Sequence, residues 1–598
     1  MLLPSLTITV SSFLLFLIQP MIGKYILPWH GGVPSVWTTC LLFFQAALLF
    51  GYGYAHVLTA WSNSILRALV HGTVLLLGAI ALFFQDISAW APTNTVEHPT
   101  LHILAFLTCA IGIPYLALSS TTPLVQGVLG AKEDNPKLYR LYSLSNAASL
   151  IALFGYPLLI EQFASRSIQI SLWSFGFLLY STLIFLLLKT AENTNSPNEI
   201  TPASITPSPL GTQLQWLILS GIGCMLLLSS TNHICQNVAS IPFLWIIPLS
   251  LYLLSFVVAF AHEKDYGRIW YFVIFISSSL LLWFLESKGL PSLISLLTCA
   301  SIVVFSGCMI CHGELSSLKP ATQHLTRYYF ILSIGSVIGS FFVAIVAPKI
   351  FTDYREFVLS LVLIFAIAII RLIPLERMTS RFFARTAFFA VFFVAVGFVT
   401  THSGEKNRVA ARRNFFGVLT VAEENRDRPD FHILKLRHGE VVHGIQFQSP
   451  GKRDIPTTYY SEQSGIGRLL SHFRPSEVRN IGAIGLGIGT VAALTNTRDH
   501  LSFFEINPQV LELAEEYFTF LKDSKGEVSH FIGDGRLLLQ SSPPQQFDIL
   551  LLDAFSGDSV PMHLLTVEAL QEYQRHMKKN GVIAFHLTNY YLDLVPVV

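Results

Sequence analysis

Apolar residues fill the first two-thirds of the chain in blocks of about twenty, each broken by a short polar turn. Hydrocarbon about 30 Å thick is crossed by roughly 20 apolar residues in a helix. The blocks therefore predict spans over 5–27, 36–59, 65–84, 101–124, 140–160 and 168–188, then 214–230, 239–261, 268–286, 291–312, 327–348 and 356–373. Beyond residue 401 the pattern changes. Phe416–Ala422, Phe431–Arg437 and Glu440–Phe447 predict a small antiparallel sheet. After Tyr459, strands near 478–485, 501–505, 528–532, 547–552 and 581–586 alternate with helices near 460–472, 488–496, 508–521, 535–540 and 563–578. That alternation predicts a parallel, doubly wound sheet.

Five segments follow. A first six-helix repeat covers 1–188. Residues 189–213, rich in Pro, Ser, Thr and Asn, form a flexible linker, and 214–401 hold the second repeat with an extra apolar stretch. A β subdomain covers 402–458, and 459–598 form a nucleoside-binding α/β domain. Charge sharpens the division. Residues 1–401 carry 32 of the 75 Asp, Glu, Lys and Arg, and the shorter 402–598 carries 43. Only 13% of the whole chain is charged, against about 25% for a soluble globular protein. This excludes a fully soluble enzyme. A formal net charge of +1 excludes nucleic-acid binding by bulk charge. All seven cysteines precede residue 401, so a disulfide scaffold is excluded and the soluble half has no thiolate metal site. No metal is expected. Leu6–Ile22 runs on into further apolar sequence and reads as the first span, not a removable signal.

The two sets of spans resemble each other. Pro34-Ser-Val-Trp37, ending in Ala55-His56, matches Pro242-Phe-Leu-Trp245, ending in Ala261-His262, at offsets of 208 and 206 residues. Tyr142–Ser149 echoes Phe330–Ser336. Two six-helix halves in the same orientation are the arrangement of major-facilitator transporters. With a cytoplasmic N-terminus the even-numbered loops hold 13 Lys and Arg and the odd-numbered loops five, so the even loops face the cytoplasm. Thr386–Thr401 is apolar but short. If it crosses, the soluble half lies outside the cytoplasm; if it lies in the interface, that half stays inside. Sulfonium nucleosides are made in the cytoplasm, so the expectation is an interfacial or re-entrant helix with 402–598 cytoplasmic.

Ionisable residues are nearly absent from the span centres, which argues against an ion path. Gln19, Gln45 and Asn146 read as helix–helix hydrogen-bonding groups, and Gly335, Ser336, Gly339 and Ser340 as a close-packing stripe. Cys308-Met-Ile-Cys311-His312 has the spacing of a haem attachment site, but it ends an apolar span and reads as coincidence.

The chemistry gathers at strand ends. The first parallel strand runs into Gly485-Leu-Gly487-Ile-Gly489, a turn that brings backbone against a ligand. Glu505 ends the second strand twenty residues after Gly485, where an acid grips ribose hydroxyls. Asp534, with Gly535, ends the third strand, and Asp553 the fourth. Four successive strand ends bearing these groups form the pattern of an S-adenosylmethionine site.

On these motifs, with Trp37–Gln45, Pro242–Trp245, Cys311–Leu315, Phe415–Leu419, His438-Gly439, Tyr459-Tyr460 and Asp553–Ser556, the chain resembles bacterial fused major-facilitator/spermidine-synthase membrane proteins. The soluble half resembles spermidine synthase, a polyamine aminopropyltransferase. The resemblance implies a multi-pass protein of the bacterial inner membrane. Its co-substrate would be decarboxylated S-adenosylmethionine or S-adenosylmethionine, and its acceptor an amine such as putrescine. Gly485, Gly487 and Gly489 would cradle the nucleoside, Glu505 hold the ribose and Asp534 read the adenine amino group. Asp553 would orient the acceptor and take its proton, and Tyr459 or Tyr460 would line the acceptor pocket. A homodimer stays open.

Three departures qualify the resemblance. The aspartate that synthases carry in the glycine loop is Ile488 here, which suits the ordinary donor better, because an aspartate would repel its carboxylate. The synthase Asp-Gly turn and glutamine appear as His438-Gly439 and His443, and the second loop aspartate is Asp558 at best. The chain also stops just after the fifth strand, as a fragment with an exposed sheet edge would. Two other readings remain: a polyamine or small-molecule transporter with a nucleoside-sensing domain, and a methyltransferase. A nicotinamide oxidoreductase would not need Asp534 and Asp553.

Overall fold

The computed structural model describes residues 2–61, 63–84, 86–92, 96–130, 137–192, 208–237, 242–261, 266–287, 292–321, 324–372, 407–439, 441–472, 478–554 and 561–586. Thr386–Thr401, Asp558, Ser556 and most of the linker lie outside the described residues. The first six helices are α1 (Leu2–Ile26), α2 (Pro34–Ala60), α3 (Ser64–Phe83), α4 (Pro99–Gly130), α5 (Lys137–Gly155) and α6 (Arg166–Glu192). The second six are α7 (Leu210–Asn237), α8 (Pro242–Ala261), α9 (Arg268–Ser287), α10 (Leu293–Ser317), α11 (Leu325–Phe341) and α12 (Arg355–Leu372). Among the described residues eleven helical stretches are long and apolar enough to cross a membrane. Helix α12 has the length too, but carries Arg355, Glu356 and Arg371. Leu69, Leu76, Phe175 and Trp270 point outward from α3, α6 and α9, as lipid-facing side chains do.

Packing repeats across the two halves. Helix α1 packs on α5 and α2 on α4; correspondingly α7 packs on α11 and α8 on α10. The halves meet through α2 with α11 and α5 with α8, the crossed pairing that a two-fold axis along the membrane normal requires. On that axis the repeat-matched Trp37 and Trp245 stack, ring centroids 4.5 Å apart. The expected small-residue stripe does bring backbones together, since a Cβ on Gly339 would sit 2.2 Å from Gly221 O. Cys308 and Cys311 are fully buried inside α10, and His312 Nδ1 is 2.7 Å from Ser255 Oγ.

The soluble half holds two sheets. Strands β1 (Arg408–Asn414), β2 (Gly417–Glu424), β3 (Ile433–His438) and β4 (Val441–Phe447) form an antiparallel sheet in sequence order. β1 was not expected; its Arg-rich sequence hides an edge strand. After α13 (Gly465–His472), a parallel sheet is built from β5 (Asn480–Ile484), β6 (His500–Glu505), β7 (Glu527–Ile532), β8 (Phe547–Leu552) and β9 (Met577–Phe585), in the order β7-β6-β5-β8-β9. Its helices are α14 (Pro508–Tyr517), α15 (Gly535–Gln540) and α16 (Val567–Arg575). The order reverses at β5, which opens a crevice at its carboxyl end. The helix expected over 488–496 is only a 3₁₀ turn, Thr490–Leu494. Thr495 ends it, its hydroxyl bonding back to Ala492 O in competition with the helix.

The soluble half packs on the face of the odd-numbered loops. Arg413 on β1 forms a two-pronged ion pair with Glu356 at the start of α12, at 2.7 and 3.0 Å, with side chains 4% and 0% exposed. Its guanidinium lies 4.4 Å from the Tyr354 ring centroid. Phe415 contacts His30 in the α1–α2 loop. Arg371, at the other end of α12, binds the buried Glu314 beside Arg268 on the even-loop face. Helix α12 thus ends on the even-loop face, and β1 begins on the odd-loop face.

Candidate functional site

The reversal at β5 forces the chain to turn sharply where a ligand can enter. Gly485, Gly487 and Gly489 take φ of 101°, 57° and 78°, a region that side chains avoid. A Cβ on Gly485 would come 2.2 Å from Asp553 O, and one on Gly487 2.8 Å from His443 O. The loop is thus clamped between the β8 end and the small sheet. It lines a cleft with Glu505, Asp534, Gly535, Asp553, His438, His443 and His563. Four separate strand ends meet there.

Each acid is held by named donors. Glu505 Oε2 accepts from the Leu486 amide at 3.0 Å and Oε1 from the Asn507 amide at 2.8 Å. Burial raises its pKa above the usual carboxylate value, against those amides. Asp534 caps α15, accepting from the Leu537 amide, and its other oxygen lies 2.7 Å from His563 Nε2. Burial pushes its carboxyl up, but His563 and the amides outweigh this and hold it below the usual range. Asp553 is held on both oxygens: the Tyr460 hydroxyl donates to Oδ2, and His586 Nδ1 lies 2.8 Å from Oδ1. Burial and the neighbouring Asp553 raise the Tyr460 pKa well above its ordinary value, so the phenol stays protonated as a donor. Tyr459 packs against His586, ring centroids 3.9 Å apart.

Ile488 turns away from the cleft. It is 1% exposed and fills the space over Gly444. Among the described residues His443 Nε2 is buried without a hydrogen-bond partner, and burial beside His438 lowers its pKa to about 3. Two site residues escaped the reading of the sequence. His586 ends β9 as the acids end the other strands, so its signal was present. His563 carries none, because only tertiary packing brings it to Asp534. No group of three or more His, Cys, Asp or Glu that could hold a metal occurs among the described residues.

A second cavity lies between the repeats of the membrane half. Gln19, Gln45, Asn146, Ser145, Ser336 and four tyrosines line it, Tyr52, Tyr142, Tyr252 and Tyr329. Gln19 Nε2 bonds Tyr115 Oη across helices at 3.2 Å, whereas Asn146 Nδ2 bonds Tyr142 O within its own helix.

No family model matches the chain. It is 28% identical over 184 residues to a polyamine aminopropyltransferase of Vibrio vulnificus, covering 30% of this chain and 59% of that protein. It is 34% identical over 112 residues to an N-terminal histidine N-methyltransferase of Emericella nidulans, covering 18% of this chain and 19% of that protein. The chain thus spans less than two-thirds of the length of either relative. Among solved structures, a bacterial homologue of the iron transporter ferroportin, in an outward-facing state, is similar at TM-score 0.42 and 13% identity, over 61% of this chain and 97% of that one.

Proposed function

We propose that the chain is a membrane-embedded transferase that moves an aminopropyl or methyl group from an S-adenosylmethionine-type sulfonium to an amine. The observation that carries this is the convergence of the glycine loop, Glu505, Asp534 and Asp553 on one cleft. The names of the two similar proteins, one an aminopropyltransferase and one a methyltransferase, support the same chemistry. The donor supplies an electrophilic carbon beside positive sulfur. The chain's own groups do the rest. Gly485 to Gly489 bring backbone against the nucleoside, and Glu505 and Asp534 fix its two ends. Asp553, braced by Tyr460 and His586, orients the acceptor amine. As the new carbon–nitrogen bond forms, the carbon–sulfur bond breaks with its electron pair going to sulfur. The amine's proton passes to the Asp553–His586 pair. Ile488, where the synthase resemblance puts an acid, favours the donor that keeps its carboxylate.

Two products separate the branches. The full chain in detergent is incubated with putrescine and mixed amines, once with each donor. Methylthioadenosine marks aminopropyl transfer, and S-adenosylhomocysteine marks methyl transfer. Failure to form either, together with failure to bind either nucleoside, overturns the reading. The cavity between the repeats favours a second reading, in which the membrane half carries a polar, uncharged solute. Uptake into vesicles that survives Gly487→Val would support it.

We infer, from the docking of β1 on the odd-loop face, that the soluble half sits opposite the basic loops, outside the cytoplasm. A donor made in the cytoplasm would then need a route through the membrane half. Alkaline phosphatase fused after Val598 is expected to be active; a fusion active only as a cytoplasmic reporter reverses this placement.

A further inference from the structure

Helix α1 ends at Ile26, and Leu27–His30 with Gly31 and Gly32 carries the chain to α2 on the face where the soluble half docks. This turn reaches the cleft. Gly31 and Val33 line it together with Gly485, Glu505, Asp534 and Asp553. Gly31 takes φ +73°, and a Cβ there would come 2.6 Å from Ile506 Cδ1. Ile506 directly follows Glu505. Beside it, Trp29, His30 and Pro99 of the membrane half enclose a hollow with Gly533, Asp534 and Leu537 of the β7–α15 turn. His30 and Val33 are 3% and 2% exposed. The contact is anchored independently by the buried Arg413–Glu356 pair.

We propose that the α1–α2 turn of the membrane half is a wall of the nucleoside site, closing the end where Ile506, Val33 and Asp534 would receive an adenine ring. This rests on the transferase reading above. A flat, uncharged base gains most from apolar faces on both sides, with a few polar groups at its edge. Ile506 and the turn pressed against it form one continuous apolar surface with Val33, and Asp534 supplies the edge. Gly31 is small because the turn must press against Ile506. The ligand class is an adenine nucleoside, and its site is complete only when the two halves are docked.

The test is calorimetric titration of methylthioadenosine into the full chain in detergent. Gly31→Leu should weaken binding at least tenfold by forcing Ile506 out of the wall and into the site. Val33→Ala, which strains no backbone, should weaken it severalfold by opening the wall. Circular dichroism of the membrane helices should be unchanged in both. Wild-type affinity in both variants overturns the wall and leaves the transferase reading standing. Absence of binding by the wild-type protein overturns that reading and this inference with it.

Discussion

Between the repeats of the membrane half, Gln19, Gln45, Asn146, serines and tyrosines line a cavity that, among the described residues, no Asp, Glu, Lys, Arg or His lines. In the cleft of the soluble half, three acids and three imidazoles share a comparable space. The difference follows from solvent. A charge within hydrocarbon costs several kcal/mol, so a bilayer-embedded pocket is built from groups that satisfy themselves nearby, as Ser149 does on Ser145 O. At the cleft, glycine-loop amides and a helix start supply donors for acids. On the proposed transferase reading, chemistry that develops charge belongs there.

The largest test of this division is Asp553→Asn. Its amide keeps the size but cannot accept a proton, so transfer should fall about 10²- to 10⁴-fold while donor binding holds. Rapid-quench product formation alongside a binding isotherm checks both. A variant as active as wild type would move the chemistry elsewhere. Next comes Glu356→Gln, which leaves Arg413 buried without its charge partner. Breaking such a pair costs about 3–5 kcal/mol. The halves should loosen, seen as faster proteolysis between them at unchanged helix content. Unchanged proteolysis would mean that the docked face is held by other contacts.

The same contrast explains what the sequence disclosed. Twelve helices were legible, eleven of them, among the described residues, long and apolar enough to cross a membrane, because hydrocarbon demands about twenty apolar residues each; the repeat was legible in the motifs around Trp37 and Trp245, which stack. The strand-end residues were legible because a doubly wound sheet has one place for its ligand. Strand β1 was not, since its arginines serve partners distant in sequence: Arg412 pairs with Glu512 and Glu516, and Arg413 with Glu356. The face on which the soluble half docks was hidden for the same reason: the contact of β1 with α12 joins residues distant in sequence.

A smaller effect should come from pH. Burial lowers His438 to about 4 and His443 to about 3, against 6.5 when exposed. Below pH 6.5 the unfolded chain takes up protons that the folded one refuses, so stability is full above that value and falls towards the folded pKa values. At pH 5 the loss should be about 1–2 kcal/mol per histidine. Melting of the soluble half between pH 7.5 and 5 reads this, and His443→Gln should flatten the curve. A melting point that does not change with pH would mean both imidazoles reach water.

The smallest expected change is Asn146→Leu in the membrane cavity. Among the described residues Asn146 Nδ2 bonds Tyr142 O, within α5. Removing such a bond inside a membrane costs about 0.6 kcal/mol on average. A leucine is about as bulky and needs no partner, so the bundle should fold and melt almost as before. Transfer in detergent should stay within about twofold of wild type, because no charge develops near this residue. The informative result is the opposite one. A large loss of transfer, with donor affinity and melting intact, would mean that acceptor or product passes the membrane cavity on its way to Asp553. The two cavities would then be stations of one path, joined through the α1–α2 turn between them.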